Sequence, residues 1–245
     1  LHPFTTLRAR RLAAIATLDE VKQADLERLL GKRVTVFPDF ADLARPAPAD
    51  ANAATVAARS RGRPVLSILG TLSSRKGLAR LAQVARELPD AWHVLIAGEP
   101  DWGAMTAAER QFVEEGAAGA HPNVTVIAGG LPAEAQFNAM VTASSAVYVT
   151  SVNFPYSSNI LVKTAHFGIP AISERQYLIG ARIDRHALGA TLAGESLVDW
   201  CRRNSTAEIA ALRTSPAFIQ GCEAYAARND SARLPLAFAE LLGAR

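Results

Sequence analysis

The feature that most constrains the fold is a regular alternation of apolar runs with amphipathic segments, which begins near Pro64. The apolar runs have the length of buried strands, and the segments between them repeat apolar residues at helical spacing. Strands that alternate with such helices form a parallel sheet covered on both faces, and right-handed crossovers predict a doubly wound, Rossmann-like α/β layer. Its predicted strands are 65–69, 92–97, 124–128, 146–150, 171–173 and 190–192, and its predicted helices are 77–88, 106–115, 132–143 and 160–167.

Two flanking regions complete the predicted architecture. Residues 10–40 have the pattern of a strand, a helix and a strand, and we place a domain boundary near residues 39–42. We therefore assign 1–41 to the end of a preceding domain with its linker strand, and 42–245 to the Rossmann-like domain. The stretch 44–58 is rich in Ala and Pro and is either a linker or a weak helix. The sequence also predicts a helical tail, with segments at 197–203, 206–212, 216–227 and 235–242.

Composition limits the classes of function. The chain has 245 residues, of which 49% are hydrophobic, and this suffices for a large core. No apolar run approaches the length of a membrane span, so we expect no integral membrane segment, while peripheral membrane contact stays open. Basic clusters at 8–11 and 59–63 lack interleaved aromatic residues, so we do not expect a nucleic-acid partner. Cys201 and Cys222 have no metal or framework spacing and indicate buried thiols in a reducing cytoplasm.

The loop after the first strand of the alternation has the character of an anion site. It reads GTLSSRKG over residues 70–77, and its first glycine allows a tight turn directly after the strand. Arg75 and Lys76 stand beside the positive end of the next helix, an arrangement that favours a phosphate or diphosphate. The loop matches neither the Walker pattern nor Gly-x-Gly-x-x-Gly, and a solvated basic turn is the alternative interpretation.

A second candidate anion site is the polar loop 153–159, which precedes the helix predicted over 160–167. Ser157, Ser158 and Asn159 are candidate caps of that helix, and the N–H groups of its first turn would point at an anion. Ordinary capping without any ligand is the alternative interpretation.

Two more strands end in small residues, at 98–100 (Gly-Glu-Pro) and at 129–131 (Gly-Gly-Leu). Because the carboxyl ends of parallel strands meet at one edge of a sheet, we expect these loops to lie beside 70–77 and 153–159. A ligand that spans the four loops would meet residues that permit close approach, as in nucleotide sites.

The order of four segments, LGTLSSRKGLARL, HVLIAGEP, NVTVIAGGL and YSSNILVKTAHFGIPAIS, resembles the C-terminal, nucleotide-sugar-binding domain of GT-B-fold glycosyltransferases. The likeness is strongest to the retaining enzymes that build polysaccharides and glycoconjugates, and it extends from about Val34 to the end of the chain. Residues 10–40 are similar to the last βαβ element of the N-terminal, acceptor-side domain of such enzymes.

This resemblance implies an activity, its partners and a location. The activity is metal-independent transfer of a hexose from a nucleoside diphosphate sugar to a glycan or other acceptor, without a cofactor. The location is the bacterial cytoplasm, where polysaccharides are assembled. The resemblance also implies an acceptor-side domain ahead of this one, so that the 245 residues would be part of a longer enzyme.

The resemblance assigns roles within the loop at 70–77. In the family, a Gly-Arg…Lys-Gly loop holds the donor diphosphate, and Gly70, Lys76 and Gly77 match it. Thr71 stands in the place of the usual arginine, and Arg75 offers that charge from another position. The expected catalytic residues are therefore Lys76 and Arg75, with Gly70, Thr71 and Gly77 as further diphosphate-binding residues.

The resemblance also assigns roles to the polar loop 153–159, the central loop of the site. Ser157, Ser158 and Asn159 lie in the part of the family's loop that presents backbone N–H groups to the donor diphosphate. Two glutamates separated by seven residues flank that loop in the family, and the second holds the ribose hydroxyls. Counted back from 168–170 (Gly-Ile-Pro), these places are occupied here by Pro155 and Lys163.

The nucleoside side of the site combines the remaining loops. Lys163 cannot accept hydrogen bonds from hydroxyls, so it would bind a phosphate or pair with an acid such as Glu99, and a surface lysine is the alternative. The expected nucleoside-binding residues are Gly98, Glu99, Gly130, Leu131 and Lys163.

Two other functions are weighed against glycosyl transfer. A catalytically degenerate GT-B-like module for nucleotide or sugar binding or for scaffolding is favoured by the missing glutamates, whereas the retained 75–77 segment (Arg-Lys-Gly) argues against it. An epimerase of similar fold would need a carboxylate or histidine set in the cleft, and the sequence shows none. No His, Cys and Asp cluster has metal-ligand spacing, so we predict no metal site.

Overall fold

The computed structural model describes residues 14–131, 133–150 and 157–242 of the chain. The strands are β1 (Ile15–Thr17), β2 (Val34–Val36), β3 (Val65–Leu69), β4 (His93–Gly98), β5 (Val124–Ala128), β6 (Ala146–Tyr148), β7 (Ala171–Glu174) and β8 (Gly189–Leu192). The helices are α1 (Gln23–Leu30), α2 (Ala51–Ser60), α3 (Leu78–Glu87), α4 (Ala107–Ala117), α5 (Glu134–Thr142), α6 (Asn159–His166), α7 (Leu178–His186), α8 (Leu197–Arg203), α9 (Thr206–Thr214), α10 (Pro216–Arg228) and α11 (Leu234–Leu242).

Six strands form one parallel sheet in the order β5-β4-β3-β6-β7-β8. From β3 the chain moves outward through β4 and β5, and then returns to place β6 on the other side of β3. The strand order therefore reverses between β3 and β6, and the loops that follow these two strands diverge. This confirms the predicted doubly wound, Rossmann-like sheet, and it opens a crevice at the carboxyl edge.

The core lies on both faces of the sheet, because alternate residues of a strand point to opposite sides. Leu66 and Ile68 of β3 pack in one apolar cluster with Leu81 of α3. Leu69 packs in the other cluster with Leu161 of α6. Each of these side chains is at most 1% exposed, and complete burial of one contributes roughly 1.5–3 kcal/mol. Burial on both faces explains why the central strands read as continuous apolar runs.

Two helices lie where the sequence analysis left the local structure open. Residues 51–60 form α2, so this part of 44–58 is not a linker; the Asp50 side chain caps the helix by accepting a hydrogen bond from Ala53 N at 2.9 Å. Helix α7 (Leu178–His186) lies between the predicted strands 171–173 and 190–192, where the sequence analysis predicted no helix. It contains Gly180, where an added Cβ would lie 2.1 Å from the Glu174 carbonyl oxygen. The glycine that weakens the helical pattern in the sequence lets α7 pack closely on the end of β7.

The β1–α1–β2 unit forms its own two-stranded parallel sheet, and a buried ion cluster holds it against the larger sheet. Arg182 of α7 is 6% exposed and lies 2.6 Å from a Glu20 carboxylate oxygen and 3.7 Å from Asp39. Burial raises the pKa of Asp39 against the opposing effects of Ser157 and Arg182. Phe37 also packs edge-on against Phe238 of α11, with ring centroids 5.1 Å apart. Within the described ranges, no helix is long and apolar enough to cross a bilayer.

Candidate functional site

A cavity of about 350 Å³ opens at the carboxyl edge of the sheet, where the strand order reverses between β3 and β6. Its walls come from the loop after β3, from the start of α5 and from the first turns of α6. Doubly wound sheets bind their ligands at this position. The lining residues are Gly70, Thr71, Arg75, Lys76, Glu134, Phe137, Asn159, Ile160 and Lys163. Six of the sequence-predicted site residues therefore lie together: Gly70, Thr71, Arg75, Lys76, Asn159 and Lys163.

One wall of the cavity is cationic, and its backbone is fixed by a short 3-10 turn. The turn spans Ser74–Lys76, and Gly77 follows it with a φ of +78° before α3 begins. An added Cβ at Gly77 would lie 2.7 Å from Cε1 of Tyr148 on β6. Glycine is therefore required at this position both by the left-handed backbone and by the close approach to β6. The arrangement places Arg75 and Lys76 at the mouth of the crevice.

The Lys76 side chain is half-buried, and this burial destabilises its charged form. Burial and, secondly, the neighbouring Arg75 lower the pKa of Lys76. In the part of the chain that the structure describes, no hydrogen bond or ion pair satisfies the Lys76 ammonium. A partly desolvated cation beside a second cation is destabilising without an anion, and such groups concentrate at functional sites. The wall is therefore suited to a bound anion.

The ends of β3, β4 and β5 approach one another through glycines. Gly98 has a φ of +144°, and an added Cβ there would lie 1.9 Å from the Gly70 carbonyl oxygen. Gly129 N donates to Gly98 O at 3.0 Å. A carboxylate oxygen of Glu99 lies 3.8 Å from where Gly130 would carry a Cβ. The predicted Gly98, Glu99 and Gly130 thus share one stretch of the carboxyl edge, beside the cavity.

Leu131 has a different environment from the other predicted nucleoside-binding residues. It is half-buried and packs against the apolar cluster that contains Ile160, a residue of the cavity wall. It is not among the described residues that line the cavity.

The start of α6 contributes a second source of positive potential. Asn159 is its first residue, and the preceding Ser158 has an extended backbone and makes no side-chain capping bond to the described part of the helix. The first N–H groups of an α-helix have no acceptor within the helix, and its dipole places partial positive charge there. Because Asn159 and Ile160 line the cavity, this helix end faces the same space as Arg75 and Lys76.

Ser157 lines a different cavity, although it lies only two residues before Asn159. This cavity of about 330 Å³ is also lined by residues of the β1–α1 connection, among them Leu18 and Lys22. Its hydroxyl also hydrogen-bonds with Asp39 and opposes the raised pKa of that carboxyl group. Ser157 is therefore not among the residues that line the cavity with Arg75 and Lys76. The predicted Pro155 position lies outside the described residues.

Lys163 lies in the floor of the cavity and is almost completely buried, with 3% of its side chain exposed. Its ammonium donates to Asp42 O at 2.6 Å, to Glu134 Oε2 at 2.6 Å and to Asn138 Oδ1 at 2.8 Å. Three acceptors match its three hydrogens. The interpretation of Lys163 as a surface lysine is therefore wrong, and the acid that it pairs with is Glu134 rather than Glu99.

Glu134 and Phe137 are site residues that the sequence analysis missed. They line the cavity from consecutive turns of α5, which follows the Gly-Gly-Leu segment at the end of β5. Glu134 is the first residue of that helix, where carboxylates are common for reasons of the helix dipole alone. The only signal in the sequence was the position of Glu134 directly after a strand-end loop.

A buried polar cluster supports the edge from the α3 side of the sheet. The Tyr148 hydroxyl and the Thr150 hydroxyl donate to the two carboxylate oxygens of Glu174, and Arg80 forms an ion pair with the same carboxylate. Burial raises the pKa of Tyr148 to about 12. These contacts tie the ends of β6 and β7 together at the carboxyl edge of the sheet. The described residues contain no group of three or more His, Cys, Asp or Glu side chains that could hold a metal ion.

No family model and no curated protein sequence matches the chain, but solved structures do. HepE from Anabaena, in complex with UDP-glucose, is similar with a TM-score of 0.73 at 15% identity, over 99% of this chain and 68% of that chain. Sucrose-phosphate synthase from Thermosynechococcus elongatus is similar with a TM-score of 0.70 at 17% identity, over 99% of this chain and 61% of that chain. WaaG, a glycosyltransferase involved in lipopolysaccharide biosynthesis, is similar with a TM-score of 0.60 at 16% identity, over 92% of this chain and 61% of that chain.

These similarities establish the fold. The chain has the Rossmann-like domain architecture of GT-B glycosyltransferases, as the sequence predicts, and it spans 61–68% of the length of the three proteins. The likeness covers the β1–α1–β2 unit as well as the six-stranded sheet, since the similarity to HepE extends over 99% of this chain.

Proposed function

We propose that this chain is the donor domain of a glycosyltransferase, which binds a nucleoside diphosphate sugar and transfers its sugar to a glycan or other acceptor. The observation that carries the proposal is the convergence of Arg75, Lys76 and the start of α6 on one cavity at the strand-order reversal. The likeness to HepE, which was solved with UDP-glucose, supports a nucleotide sugar as the donor.

The cavity offers the diphosphate three kinds of contact. Lys76 and Arg75 supply charge, the first turn of α6 supplies N–H groups, and Gly70 leaves room for the backbone to come close. The uncompensated charge of Lys76 explains why an anion should be preferred here over a neutral ligand. At about 350 Å³ the cavity lies within the size range of small-molecule sites.

The proposed chemistry follows from this placement. In transfer, the bond between the anomeric carbon and the diphosphate oxygen breaks, and negative charge grows on the departing diphosphate. Lys76 and Arg75, whose backbone lies in the 3-10 turn, stabilise that charge more strongly as the bond breaks than before. The acceptor hydroxyl forms the new bond to the anomeric carbon and gives up its proton to an oxygen of the departing diphosphate. Because fixed cations and N–H groups face the leaving group, we propose hexosyl transfer that requires neither metal nor cofactor.

The proposed setting is the bacterial cytoplasm, in the synthesis of a polysaccharide or glycoconjugate, with peripheral membrane contact as an option and no nucleic-acid partner. The likeness to WaaG supports this class of pathway. We further propose that 1–41 is the end of an acceptor-side domain, and that the boundary near 39–42 separates it from the donor domain at 42–245. The separate β1–β2 sheet supports that division.

Calorimetric titration tests the proposal with UDP, GDP and ADP against the wild type and Lys76→Ala. We expect at least one nucleotide to bind the wild type, and the substitution to weaken that binding about tenfold or more, because a charge-assisted contact is lost. Lys22→Ala is the matched control, since Lys22 is an exposed lysine in an ion pair with Asp19 outside the cavity. Equal affinity of the wild type and Lys76→Ala would contradict the proposal.

The second candidate is a GT-B-like module that binds a nucleotide or sugar without transferring it. It is favoured by Lys163, which occupies the place of the family's ribose-binding glutamate and is committed to internal contacts. Binding of a nucleoside diphosphate without transfer or hydrolysis of the corresponding nucleotide sugar, in the chain joined to its acceptor-side domain, would favour the module.

A further inference from the structure

Lys163 and Glu134 form an ion pair in the cavity wall, and the proposed contacts with the diphosphate do not involve it. We propose that the Glu134 carboxylate accepts hydrogen bonds from the ribose hydroxyls of the donor, and that Lys163 is the positioning residue that holds it. This inference rests on the proposed function, because it names the residue that receives the nucleoside in the same cavity.

The first step of the argument is that Lys163 is immobile. Its three hydrogen bonds all go to the protein, and one acceptor, Asn138, is itself fixed because its amide nitrogen donates to Ala44 O at 2.8 Å. That bond turns the amide oxygen of Asn138 toward the ammonium of Lys163. A buried ammonium with every hydrogen engaged does not turn toward a ligand without losing these contacts. Lys163 therefore acts through Glu134.

The second step is that the Glu134 carboxylate can accept further hydrogen bonds. Its Oε2 atom accepts from Lys163, while 51% of its side chain is exposed. No donor among the described residues reaches its Oε1 atom. An ionised carboxylate accepts up to about four hydrogen bonds and donates none. The charge is also favoured by the position of Glu134 at the start of α5. The structure thus presents a fixed, half-exposed acceptor to the cavity.

The third step is the distribution of charge within one cavity. Arg75 and Lys76 attract a diphosphate, whereas a carboxylate repels it, so Glu134 faces a part of the ligand that donates hydrogen bonds. In a nucleoside diphosphate the ribose hydroxyls are the donors nearest to the diphosphate. Acidic side chains bind ribose hydroxyls in other doubly wound nucleotide sites. Phe137 and Ile160 complete this part of the wall with apolar surface.

The test compares ribonucleotides with their 2′-deoxy counterparts. The probe is whichever of UDP, GDP and ADP binds the wild type most tightly, with dUDP, dGDP or dADP as its partner and inorganic pyrophosphate as a ligand without ribose. We expect the wild type to prefer the ribonucleotide about tenfold, and Glu134→Gln to lose that preference, because the charged acceptor is gone. Pyrophosphate affinity should not fall in Glu134→Gln, because the lost carboxylate repels a diphosphate in the same cavity.

Two further variants sharpen the result. Glu87→Gln is the matched control, since Glu87 is also a partly exposed glutamate in an ion pair, 2.5 Å from Arg202, but it lies outside the cavity. It should retain the ribose preference. Lys163→Met should lose the preference while its pyrophosphate affinity is retained, a pattern that general destabilisation does not produce. Circular dichroism establishes whether each variant is folded. If Lys163→Met is unfolded, Glu134→Gln alone tests the inference.

The outcomes separate this inference from the proposed function. The inference is overturned if Glu134→Gln keeps the ribose preference. If pyrophosphate binding still depends on Lys76 in that case, the proposed diphosphate site is retained. Absence of binding by every nucleoside diphosphate and by pyrophosphate overturns the inference and the proposed function together.

Discussion

At the scale of residues, two lysines of one cavity show how surroundings decide what a side chain can do. Lys163 is matched by three acceptors and is 3% exposed, so it serves as part of the framework. Lys76 is also partly buried, but the described residues offer its ammonium no acceptor, and burial together with Arg75 lowers its pKa. The same residue type is therefore structural in one wall and suited to anion binding in the other.

The lowered pKa of Lys76 predicts a pH dependence of ligand binding. Lys76 is charged below its pKa and neutral above it, and that pKa lies below the ordinary value of 10.5. A bound diphosphate favours the charged form, so affinity should be full on the acid side and fall as the pH rises through the lowered pKa. The measurement is UDP or pyrophosphate affinity as a function of alkaline pH.

Lys76→Arg is the control for this prediction, because a guanidinium stays protonated throughout that range. The titration of the ligand itself is common to both proteins, so the difference between the two curves isolates Lys76. Parallel curves for the wild type and Lys76→Arg would show that Lys76 does not carry the charge that the ligand meets.

At the scale of elements, the site depends on how closely strand ends approach one another. The carboxyl ends of β3 and β4 touch through Gly70 and Gly98, and the loop that carries Arg75 and Lys76 leaves from this contact. The ends of β6 and β7 are tied by the Glu174 cluster. The crevice between these two fixed edges is therefore a consequence of strand order, and loop residues supply its chemistry.

Gly98→Ala tests the importance of the close approach. Its Cβ would lie 1.9 Å from the Gly70 carbonyl oxygen, so the strand ends must separate, and we expect a loss of about 2–4 kcal/mol in the free energy of unfolding. Gly129→Ala is the control, because Gly129 also has a positive φ, of +127°, but nothing lies within 4 Å of its Cβ position. It should cost about 1–2 kcal/mol, from backbone strain alone. Chemical denaturation measures both, and equal losses would show that backbone strain alone matters.

Two strands of the sheet are predicted to the residue. Observed β3 and β5 coincide with the predicted 65–69 and 124–128, because each is a short run rich in aliphatic and β-branched residues between turn residues. Helix α7 was the least predictable, since Gly180 and several charged residues obscure its pattern. Its glycine is explained by the close approach of the Glu174 carbonyl oxygen at the end of β7, a contact that helical periodicity does not predict.

At the scale of the whole molecule, topology made part of the site predictable. Parallel strands bring their carboxyl ends to one edge, so the loop at 70–77 and the start of α6 were expected to meet, and they do. The contact of Lys163 with Glu134 was not predictable, because it joins two helices through side-chain directions that no spacing rule covers. The same holds for Ser157, whose hydroxyl bonds with Asp39 in the connection to the β1–α1–β2 unit.

The central claim is that a diphosphate occupies the crevice between β3 and β6, and a crystal structure of the chain with bound UDP, GDP or ADP tests it most directly. We predict phosphate oxygens within hydrogen-bond distance of Lys76 Nζ and of the first N–H groups of α6, at Asn159 and Ile160. A nucleotide bound elsewhere on the molecule, with Lys76 untouched by phosphate, would contradict the account.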